Sequence, residues 1–320
     1  MKEPKVSAII VNYNGKAVTE GAIKTLMGQS YKEIEIIVVD NNSSDGSQQM
    51  ITRKYKNIKL VENTKNLGYC GINSGLSSCR GKYIFFTNND ISLEKDCIKR
   101  LVGALEKDRS MGIASPKVVN YFDRNLQSCG TWVSRAFYNG HFKCGKDFRK
   151  EIPYNGIAMV RKEIIDRFGY IFDGDYFTYA EDLDLCLRTR LLGYAVVHIP
   201  EAVLYHMHEL TLGKSKKYKL TYMLERNLLM TFFKILSLKN IVIFLPYVMA
   251  MRFVAILRDV FTLKFANAGA RLAAILNVLI DFSHIIKKRG SIQKLRKKDD
   301  SFLLKVFSEK YLFSSKKINV

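Results

Sequence analysis

The chain has 320 residues, of which 48% are apolar and 12% aromatic, with only 5 prolines. This composition excludes intrinsic disorder and collagen-like repeats, and the length suits one large domain or two modest ones. With 51 Lys and Arg against 30 Asp and Glu, the net charge of +21 predicts a polyanionic partner: nucleic acid, an anionic membrane surface or a phosphorylated ligand.

The first 120 residues alternate between short apolar runs and helical patterns. Four runs predict strands, at 6–11, 34–39, 59–61 and 83–86. A polar helix start follows at 42–47, and 67–79 indicates a glycine-punctuated turn and helix. We therefore expect a parallel sheet covered on both faces, whose strands end at one edge, where ligands bind.

The pattern loosens from about 120 to 150, where mixed aromatics and glycines suggest hairpins or a substrate loop. Beyond it, the expected elements are a strand at 157–160, helices from about 161 and at 182–192, a strand at 195–199, and helices at 218–236, 240–264 and 266–288.

The six cysteines include no CxxC pair, and the first apolar run is too short for a signal-peptide core. Reduced, structural thiols in a cytoplasmic protein are therefore expected.

Two predicted strands end in aspartates, Asp40 and Asp90. At the carboxyl edge of such a sheet, Asp40 could accept hydrogen bonds from a base or a ribose. Asp90, with Asn88 and Asn89, offers hard oxygen ligands for Mg²⁺ or Mn²⁺ on a diphosphate. The alternative is that each aspartate caps the following helix.

A glycine-rich segment, 66–75, contains Gly68, Gly71 and Gly75, whose backbone amides could approach a phosphate or sugar closely. It matches neither GxGxxG nor a P-loop, so the usual dinucleotide and P-loop sites lose support. A purely structural turn is the alternative.

Three carboxylates, Glu181, Asp182 and Asp184, begin a predicted helix. Acidic groups there complement the helix dipole, which is a structural reason for one or two of them. The functional interpretation makes one of them the general base toward an acceptor hydroxyl. Downstream, His206 and His208 could complete a metal or phosphate site. The alternative is that each is a structural residue near a strand end.

Five motifs occur in a recognisable order and spacing. They are VSAIIVNYNG at 6–15, VVDNNSSDG at 38–46, NLGYxxGINSG at 66–75, NND at 88–90 and YxEDxDLCLR at 179–188. Together they resemble glycosyltransferase family 2, especially its rhamnosyltransferase-like members. Tyr205-His206, Thr211-x-Gly213 and Tyr222-x-x-x-Arg226-Asn227 resemble later residues of the same subgroup, so the resemblance covers about 1–235.

The resemblance implies the GT-A fold, a Rossmann-like mixed α/β sheet, followed here by C-terminal amphipathic helices. Residues 1–210 would form the catalytic domain, with a nucleotide-sugar-binding half at 1–120 and an acceptor-binding half at 121–210. Residues 211–320 would form a basic, apolar helical region.

The implied activity is inverting, metal-dependent transfer of a sugar to a hydroxyl of a glycan or lipid-diphosphate-linked acceptor, in cell-surface polysaccharide or glycoconjugate synthesis. The donor would be a nucleotide-diphospho-sugar: dTDP-rhamnose, or a UDP- or GDP-sugar.

By the same resemblance, Asp182 would be the general base, with Glu181 beside it, and Asp90 and His206 would hold Mg²⁺ or Mn²⁺. A cation would neutralise the leaving diphosphate, and a base on the opposite face would give inversion. Two of the three positions of the family's Asp-x-Asp motif are amides here, which leaves Asp90 as the main anionic ligand. The implied nucleotide-sugar-binding residues are Asn12, Asn14, Asp40, Asn42, Asp45, Asn66, Gly68, Tyr69, Asn73 and Asn89.

The basic surplus is concentrated late in the chain, with +6 in 1–205 and +15 in 206–320. The apolar run 241–251 is short for a spanning helix, and Pro246, Arg252 and Arg258 interrupt the pattern around it. We therefore expect helices that lie on or dip into an anionic membrane surface, peripheral or monotopic, on the cytoplasmic face. The alternative is that they pack on the catalytic domain or form a homo-oligomer.

Two other function classes compete with this interpretation. The charge of +21 alone suggests a nucleic-acid-binding protein, but zinc-ligand spacing and an aromatic RNA-binding signature are absent from the sequence. An inactive scaffold with the same fold is disfavoured by the retained Asp40, Asp90 and Asp182.

Overall fold

The computed structural model describes residues 5–128, 130–141, 156–207 and 217–307. Its strands are β1 (Val6–Asn12), β2 (Ile34–Asp40), β3 (Lys59–Glu62), β4 (Tyr83–Asn88), β5 (Ile91–Leu93), β6 (Met111–Asn120), β7 (Leu126–Ser128), β8 (Thr131–Val133), β9 (Asn139–His141), β10 (Ala158–Arg161) and β11 (Ala195–His206). Its α-helices are α1 (Lys16–Met27), α2 (Ser47–Lys54), α3 (Cys97–Lys107), α4 (Lys162–Phe168), α5 (Glu181–Leu191), α6 (Lys217–Ile235), α7 (Leu238–Phe261), α8 (Phe265–Ile280), α9 (Phe282–Lys294) and α10 (Asp300–Leu304).

The central sheet has the strand order β3-β2-β1-β4-β10-β6-β11-β5. The first four strands are parallel, as predicted, whereas β10 is antiparallel to both of its neighbours. Alternate residues of β1 enter two separate cores, Ile9 on one face and Ile10 on the other. The sheet is therefore mixed and buried on both sides, which explains the nearly continuous apolar runs of its strands.

Parallel pairing brings the sequence motifs to one edge. Asn12 at the end of β1 lies opposite Asp40 at the end of β2, and Val11 lies opposite Asn88 of β4. The first motif, the second motif and the NND motif thus meet beside one another, as expected from the position of each at the end of its strand.

Besides the short β5, which was not predicted, two long strands differ from the sequence-based expectation. The strand β6 was not predicted, since Gly112 and Pro116 interrupt its pattern, and β11 continues beyond 199 to His206. The register of β11 on β6 shifts between Ile199 and Val203, around Pro200. This irregularity hid the second half of β11, although that half carries His206 to the site edge.

The segment 67–79 forms a 3₁₀ helix, Gly68–Ser78, in place of an α-helix. Among the expected thiols, Cys70, Cys79, Cys97 and Cys186 are free and buried, as predicted. Cys129 and Cys144 lie outside the described residues, as do His208 and the Thr211-x-Gly213 motif.

The prediction of one helix over 266–288 is wrong. The chain forms α8 and α9, which are bent by 68° relative to each other at Asp281. The bend allows α9 to pack on α6, where Arg289 donates to Phe233 O (2.7 Å) and Gln293 donates to Lys234 O (2.8 Å). Apolar periodicity predicts helix in both halves, but the tertiary contacts of α9 determine the bend.

Candidate active site

A buried hydrogen-bond network lies at the carboxyl edge of the parallel strands. Asn12 donates through Nδ2 to Asp40 Oδ2 (2.6 Å). Its Oδ1 accepts from Thr19 Oγ1 (2.6 Å) and from Asn89 Nδ2 (2.8 Å). Asp40 Oδ1 also accepts from Ser43 N (2.8 Å), which orders the turn after β2. Three predicted donor-site residues therefore meet in one network, and their contact with a nucleotide stays a prediction.

The loops after β1 and β2 carry the exposed part of the predicted donor site. Asn14 and Asn42 have left-handed φ angles of 49° and 65°, which asparagine adopts more readily than most residues. Asn14 Oδ1 accepts from Ser44 N (2.8 Å), and Asp45 Oδ2 accepts from Lys16 N (2.8 Å). These bonds tie the two loops together, while the side chains of Asn14, Asn42 and Asp45 stay exposed to a ligand.

The glycine-rich segment contacts the backbone that precedes α5. Gly68 has φ +64°, and its N donates to Asn66 Oδ1 (2.8 Å). A Cβ at Gly68 would clash with Phe177 O, the carbonyl that also accepts from Tyr69 N (2.8 Å). Only glycine permits this approach. The segment thus joins the nucleotide half to the turn at 177.

Asn73 is engaged with backbone in this structure. Its Oδ1 accepts from Ile171 N (2.9 Å), and its Nδ2 donates to Phe172 O (2.6 Å). These bonds give Asn73 a structural task in addition to the nucleotide contact that the resemblance implies, which stays a prediction.

Asp90 and His206 meet beside the end of β4. The pairing of β11 with β5 sets His206 opposite Ile91, and His206 Nε2 lies 3.1 Å from Asp90 Oδ1. His206 Nδ1 lies 3.1 Å from Gln127 Oε1, and Asn88 Nδ2 lies 3.4 Å from Nε2. The structure therefore brings together the two predicted metal ligands.

These donor types fit Mg²⁺ or Mn²⁺ only if phosphate oxygens and water complete the coordination. Over the described ranges, no group of three or more His, Cys, Asp and Glu side chains could hold a metal ion. One or two carboxylates plus substrate phosphates are the usual ligands of Mg²⁺. Asp90 would supply the carboxylate and His206 an imidazole nitrogen, whereas Asn89 turns toward Asn12.

Glu181 and Asp182 form an acidic pair at the start of α5. Burial and the neighbouring Asp182 charge raise the pKa of Glu181 to about 8, and burial raises the pKa of Asp182 to about 6. Asp182 Oδ1 accepts from Leu183 N (2.7 Å), whereas Glu181 Oε2 is buried with no hydrogen-bond partner among the described residues. A pair that releases its first proton near pH 6 can accept a proton at neutral pH.

Tyr69 is within the electrostatic influence of the predicted catalytic and metal-binding carboxylates. Its hydroxyl donates to Gly156 O (2.6 Å). Burial raises the pKa of Tyr69 well above its ordinary value, and the charges of Glu181, Asp182 and Asp90 raise it further. The base motif, the metal ligand and the glycine-rich segment are therefore neighbours, although they are separated by up to 113 positions in the chain.

The third carboxylate of the motif has a structural role. Asp184 is fully buried and pairs with Arg188 Nε (2.7 Å) and Lys234 Nζ (2.8 Å). Lys234 also donates to Asp173 Oδ2 (2.6 Å). Asp184 is therefore bound by two cations inside the protein, which separates it from Glu181 and Asp182.

The turn before α5 holds three non-glycine residues in the left-handed region: Phe177 at φ 61°, Tyr179 at 70° and Ala180 at 61°. Each costs roughly 1–2 kcal/mol, so such a turn persists only where surrounding contacts hold it.

Sequence reasoning missed the groups on α6 that contact this region. Lys234 lies in a helical pattern that indicates packing, and no spacing signal sets it apart. Asn227 stands out in the sequence only as part of a motif, without a role.

The sequence profile of glycosyl transferase family 2 matches residues 7–169, just over half of the chain. An uncharacterized glycosyltransferase of Haemophilus influenzae is 27% identical over 217 residues, which cover 64% of this chain and 66% of that protein. The amylovoran biosynthesis glycosyltransferase AmsB of Erwinia amylovora is 23% identical over 256 residues, covering 70% and 78%. The chain thus spans slightly less than two thirds of the Haemophilus relative.

Among solved structures, the fold is similar to that of the mannosyltransferase PcManGT from Pyrobaculum calidifontis, determined with GDP-Man and Mn²⁺. The TM-score is 0.55 at 18% identity, over 92% of this chain and 86% of that one. The predicted GT-A fold, with helices after the sheet, is confirmed. On this fold and on the profile match, the chain belongs to glycosyl transferase family 2.

Proposed function

We propose that the protein is an inverting, divalent-metal-dependent glycosyltransferase that uses a nucleotide-diphospho-sugar. The observation that carries this proposal is the contact of Asp90 with His206 at the edge of the sheet (Oδ1 to Nε2, 3.1 Å), together with the charges of Asp90, Glu181 and Asp182, which all act on Tyr69 of the glycine-rich segment. Family membership gives the reaction class. Within one site, Asp90 would bind the metal and the Glu181–Asp182 pair would provide the general base.

On the donor side, Asn14, Asn42 and Asp45 would contact the nucleotide from the exposed loops, supported from beneath by Asn12, Asp40 and Asn89. Asn66, Gly68, Tyr69 and Asn73 would line its diphosphate and sugar. The buried network makes the edge rigid, so a nucleotide would meet preformed loops.

Asp90 and His206 would hold the cation with the donor diphosphate. When bound, Mg²⁺ or Mn²⁺ stabilises the negative charge that develops on the leaving nucleoside diphosphate. The Mn²⁺ in the PcManGT structure supports this choice of cofactor.

Asp182 is the better candidate for the base. Its pKa of about 6 leaves it ionised at neutral pH, whereas Glu181, at about 8, keeps a proton. Asp182 would accept the proton of the acceptor hydroxyl as the sugar is transferred with inversion, and the neutral Glu181 would leave a single negative charge on the pair.

The donor sugar and the acceptor belong to the same proposal. Resemblance to the rhamnosyltransferase-like subgroup favours dTDP-rhamnose, while GDP-Man in PcManGT keeps GDP-sugars as an alternative. The name of AmsB supports an acceptor in polysaccharide or glycoconjugate synthesis.

The direct test is a donor screen. Purified protein is incubated with dTDP-, UDP- and GDP-sugars and either Mg²⁺ or Mn²⁺, and release of nucleoside diphosphate is measured. We expect turnover with one nucleotide class, and loss of turnover with EDTA that added Mn²⁺ restores. Equal turnover in EDTA would contradict the metal role.

Asp90→Asn tests whether Asp90 holds the cation. We expect at least a 100-fold fall in kcat, since one oriented charge in such a site contributes factors of this size. The control is Asp123→Asn, a surface carboxylate in the loop after β6. If Asp90→Asn retained full metal-dependent turnover, the cation would have to be held elsewhere.

We further propose that α7 and α8 bind the cytoplasmic membrane surface, where a lipid-diphosphate-linked acceptor would be presented. By length and composition α7 is able to cross a membrane, and only 17% of its apolar stretch is buried, unlike a core helix. Arg252 does not interrupt its outer face, because it is buried and donates to Ala136 O (2.8 Å). The exposed large apolar residues are Leu238, Val242, Ile243, Phe253, Val254, Leu257, Val260 and Phe261 on α7, and Phe265, Leu272, Leu276, Leu279 and Ile280 on α8.

Lipid is favoured over a second copy as the occupant because the chain around this face is strongly basic. Lys239 of α7, Lys264 between α7 and α8, and Lys287 of α9 are exposed. The single charged residue of α8, Arg271, pairs inward with Asp259 (2.8 Å). Anionic lipid can contact the apolar face through its acyl chains and the exposed lysines through its headgroups.

Flotation with phosphatidylcholine vesicles, with and without phosphatidylglycerol, tests this surface. We expect binding that is stronger to the anionic vesicles and weaker in 0.5 M NaCl. The triple change Phe261→Ser, Leu263→Ser and Phe265→Ser should abolish flotation without lowering Tm, because all three side chains are exposed. The control changes the exposed Met27 and Phe122 to Ser. Concentration-dependent dimers that do not float would contradict the lipid proposal.

A further inference from the structure

Asn227 of α6 is fully buried and faces the turn that leads into α5. Its Nδ2, which carries two hydrogens, lies within hydrogen-bond distance of three backbone carbonyls of this turn: Tyr176 O (3.1 Å), Thr178 O (2.9 Å) and Tyr179 O (2.8 Å). One side chain thus contacts most of the segment in which the left-handed residues lie.

Arg226 orients this amide. Its Nε lies 3.1 Å and its Nη2 2.9 Å from Asn227 Oδ1, and both donate to it. Arg226 Nη2 also donates to Asp175 O. Because the guanidinium of Arg226 occupies Asn227 Oδ1, Asn227 Nδ2 must face the carbonyls. The two side chains together bind the backbone from 175 to 179.

The same turn also contacts the glycine-rich segment and leads directly into α5. Phe177 O accepts from Tyr69 N (2.8 Å), so the turn rests on the glycine-rich segment. Ala180, itself left-handed, directly precedes the Glu181–Asp182 pair, and no side chain caps the start of α5. The direction in which Asp182 points therefore depends on the conformation of 176–180.

We propose that Asn227 is a positioning residue for the transfer reaction: it holds the strained turn 176–180 and so sets the Asp182 carboxylate against the donor side of the site. This inference rests on the proposed function for its catalytic consequence. It also gives α6 a task in the active site, beyond connecting the catalytic domain to the membrane-binding helices.

Asn227→Ala and Asn227→Asp both remove the donating side-chain amide. Asn227→Asp does so with almost no change in side-chain volume. We expect kcat to fall 10- to 100-fold in both, while KM for the donor changes less than threefold, because the exposed donor loops do not contact Asn227. Arg226→Lys, which keeps the amide but loses its bidentate partner, should give a smaller fall of the same kind. A rise in donor KM with unchanged kcat in these variants would overturn the proposal.

A double-mutant cycle with Ala180→Gly separates positioning from general packing. Glycine adopts the left-handed conformation without steric cost, so a turn that carries this substitution needs less support. The fall in kcat caused by Asn227→Ala should therefore be three- to tenfold smaller in the Ala180→Gly background. An equal fall in both backgrounds would show that Asn227 does not act through the turn.

Asn240→Ala is the control, because it also removes a hydrogen bond donated by a side-chain amide, here the half-buried Asn240 to Asp300 Oδ2 (2.6 Å), away from the turn. It should leave kcat unchanged. Hydrogen exchange provides a readout without turnover: Asn227→Ala should speed exchange of the amides of 176–184, and Asn240→Ala should not. If the wild-type protein transfers no sugar, the proposed function fails, and the exchange result still decides whether Asn227 holds the turn.

Discussion

Asp182→Asn is expected to reduce kcat by at least 100-fold while donor affinity and Tm stay close to wild type. A general base contributes factors of about 10²–10⁴, and the amide cannot take the acceptor proton. The half-buried Asp182 has one described bond from a neighbouring amide N, so its replacement by an isosteric group leaves the surrounding packing intact. Steady-state kinetics with the donor found in the screen measure the effect.

The pH dependence of turnover is a second test of Asp182 as the general base. Because the base must be ionised and the pKa of Asp182 is raised to about 6, wild-type kcat/KM should rise with pH through about 6. Asp182→Asn should remove this limb. The control is Asp166→Asn, whose carboxylate is exposed on α4. Full activity in a folded Asp182→Asn protein would show that the base is another group.

Lys234→Met should lower the free energy of unfolding by roughly 3–5 kcal/mol, the largest loss expected for a single substitution in the buried ion-pair network below the site. Lys234 is fully buried and pairs with both Asp173 (2.6 Å) and Asp184 (2.8 Å). Methionine has a similar volume but no charge. Among the described residues, Asp173 would then keep its ion pair with Lys288, and Asp184 would keep its ion pair with Arg188. The loss of stability follows because less cationic charge then faces two buried carboxylates. Urea unfolding measures the change.

Lys162→Met is the comparison, since Lys162 forms an exposed pair with Asp166 at i,i+4, a type worth about 0.3–0.5 kcal/mol. If both lysine variants lost equally little stability, the buried network would contribute no more than a surface ion pair. The sign with pH follows from Asp173, whose pKa is held low by Lys234 and Lys288 despite burial. Its contribution is present above its unfolded-state pKa and is lost as the pH falls.

Much of the fold follows from local patterns. The runs at 6–11 and 34–39 appear as β1 and β2 nearly residue for residue, because strands buried on both faces require continuous apolar side chains. The pattern failed at β6 and β11, where Gly112, Pro116 and Pro200 interrupt strands that pairing nevertheless holds. Those interruptions concealed the path that carries His206 to Asp90.

The predicted site residues differ in how far the sequence could define them. Motif order identified Asp90 and Glu181–Asp182, and the surroundings of Tyr69 bring these groups together. The separate roles proposed for Glu181 and Asp182 depend on burial, which raises their pKa values to different levels and which a spacing pattern does not contain. The same motif could not show that Asp184 turns inward to Lys234, 50 positions later.

The charge of +21 indicated a polyanionic partner without choosing it, and motif order by itself determined the family and the residues at the sheet edge. Tertiary structure decided which of those residues are buried, that α9 folds back on α6, and that α7 and α8 leave an apolar face exposed. The physical reason is that strand and helix patterns record local burial. The partners of Asn227 and Lys234, in contrast, come from segments brought together only when the whole chain packs.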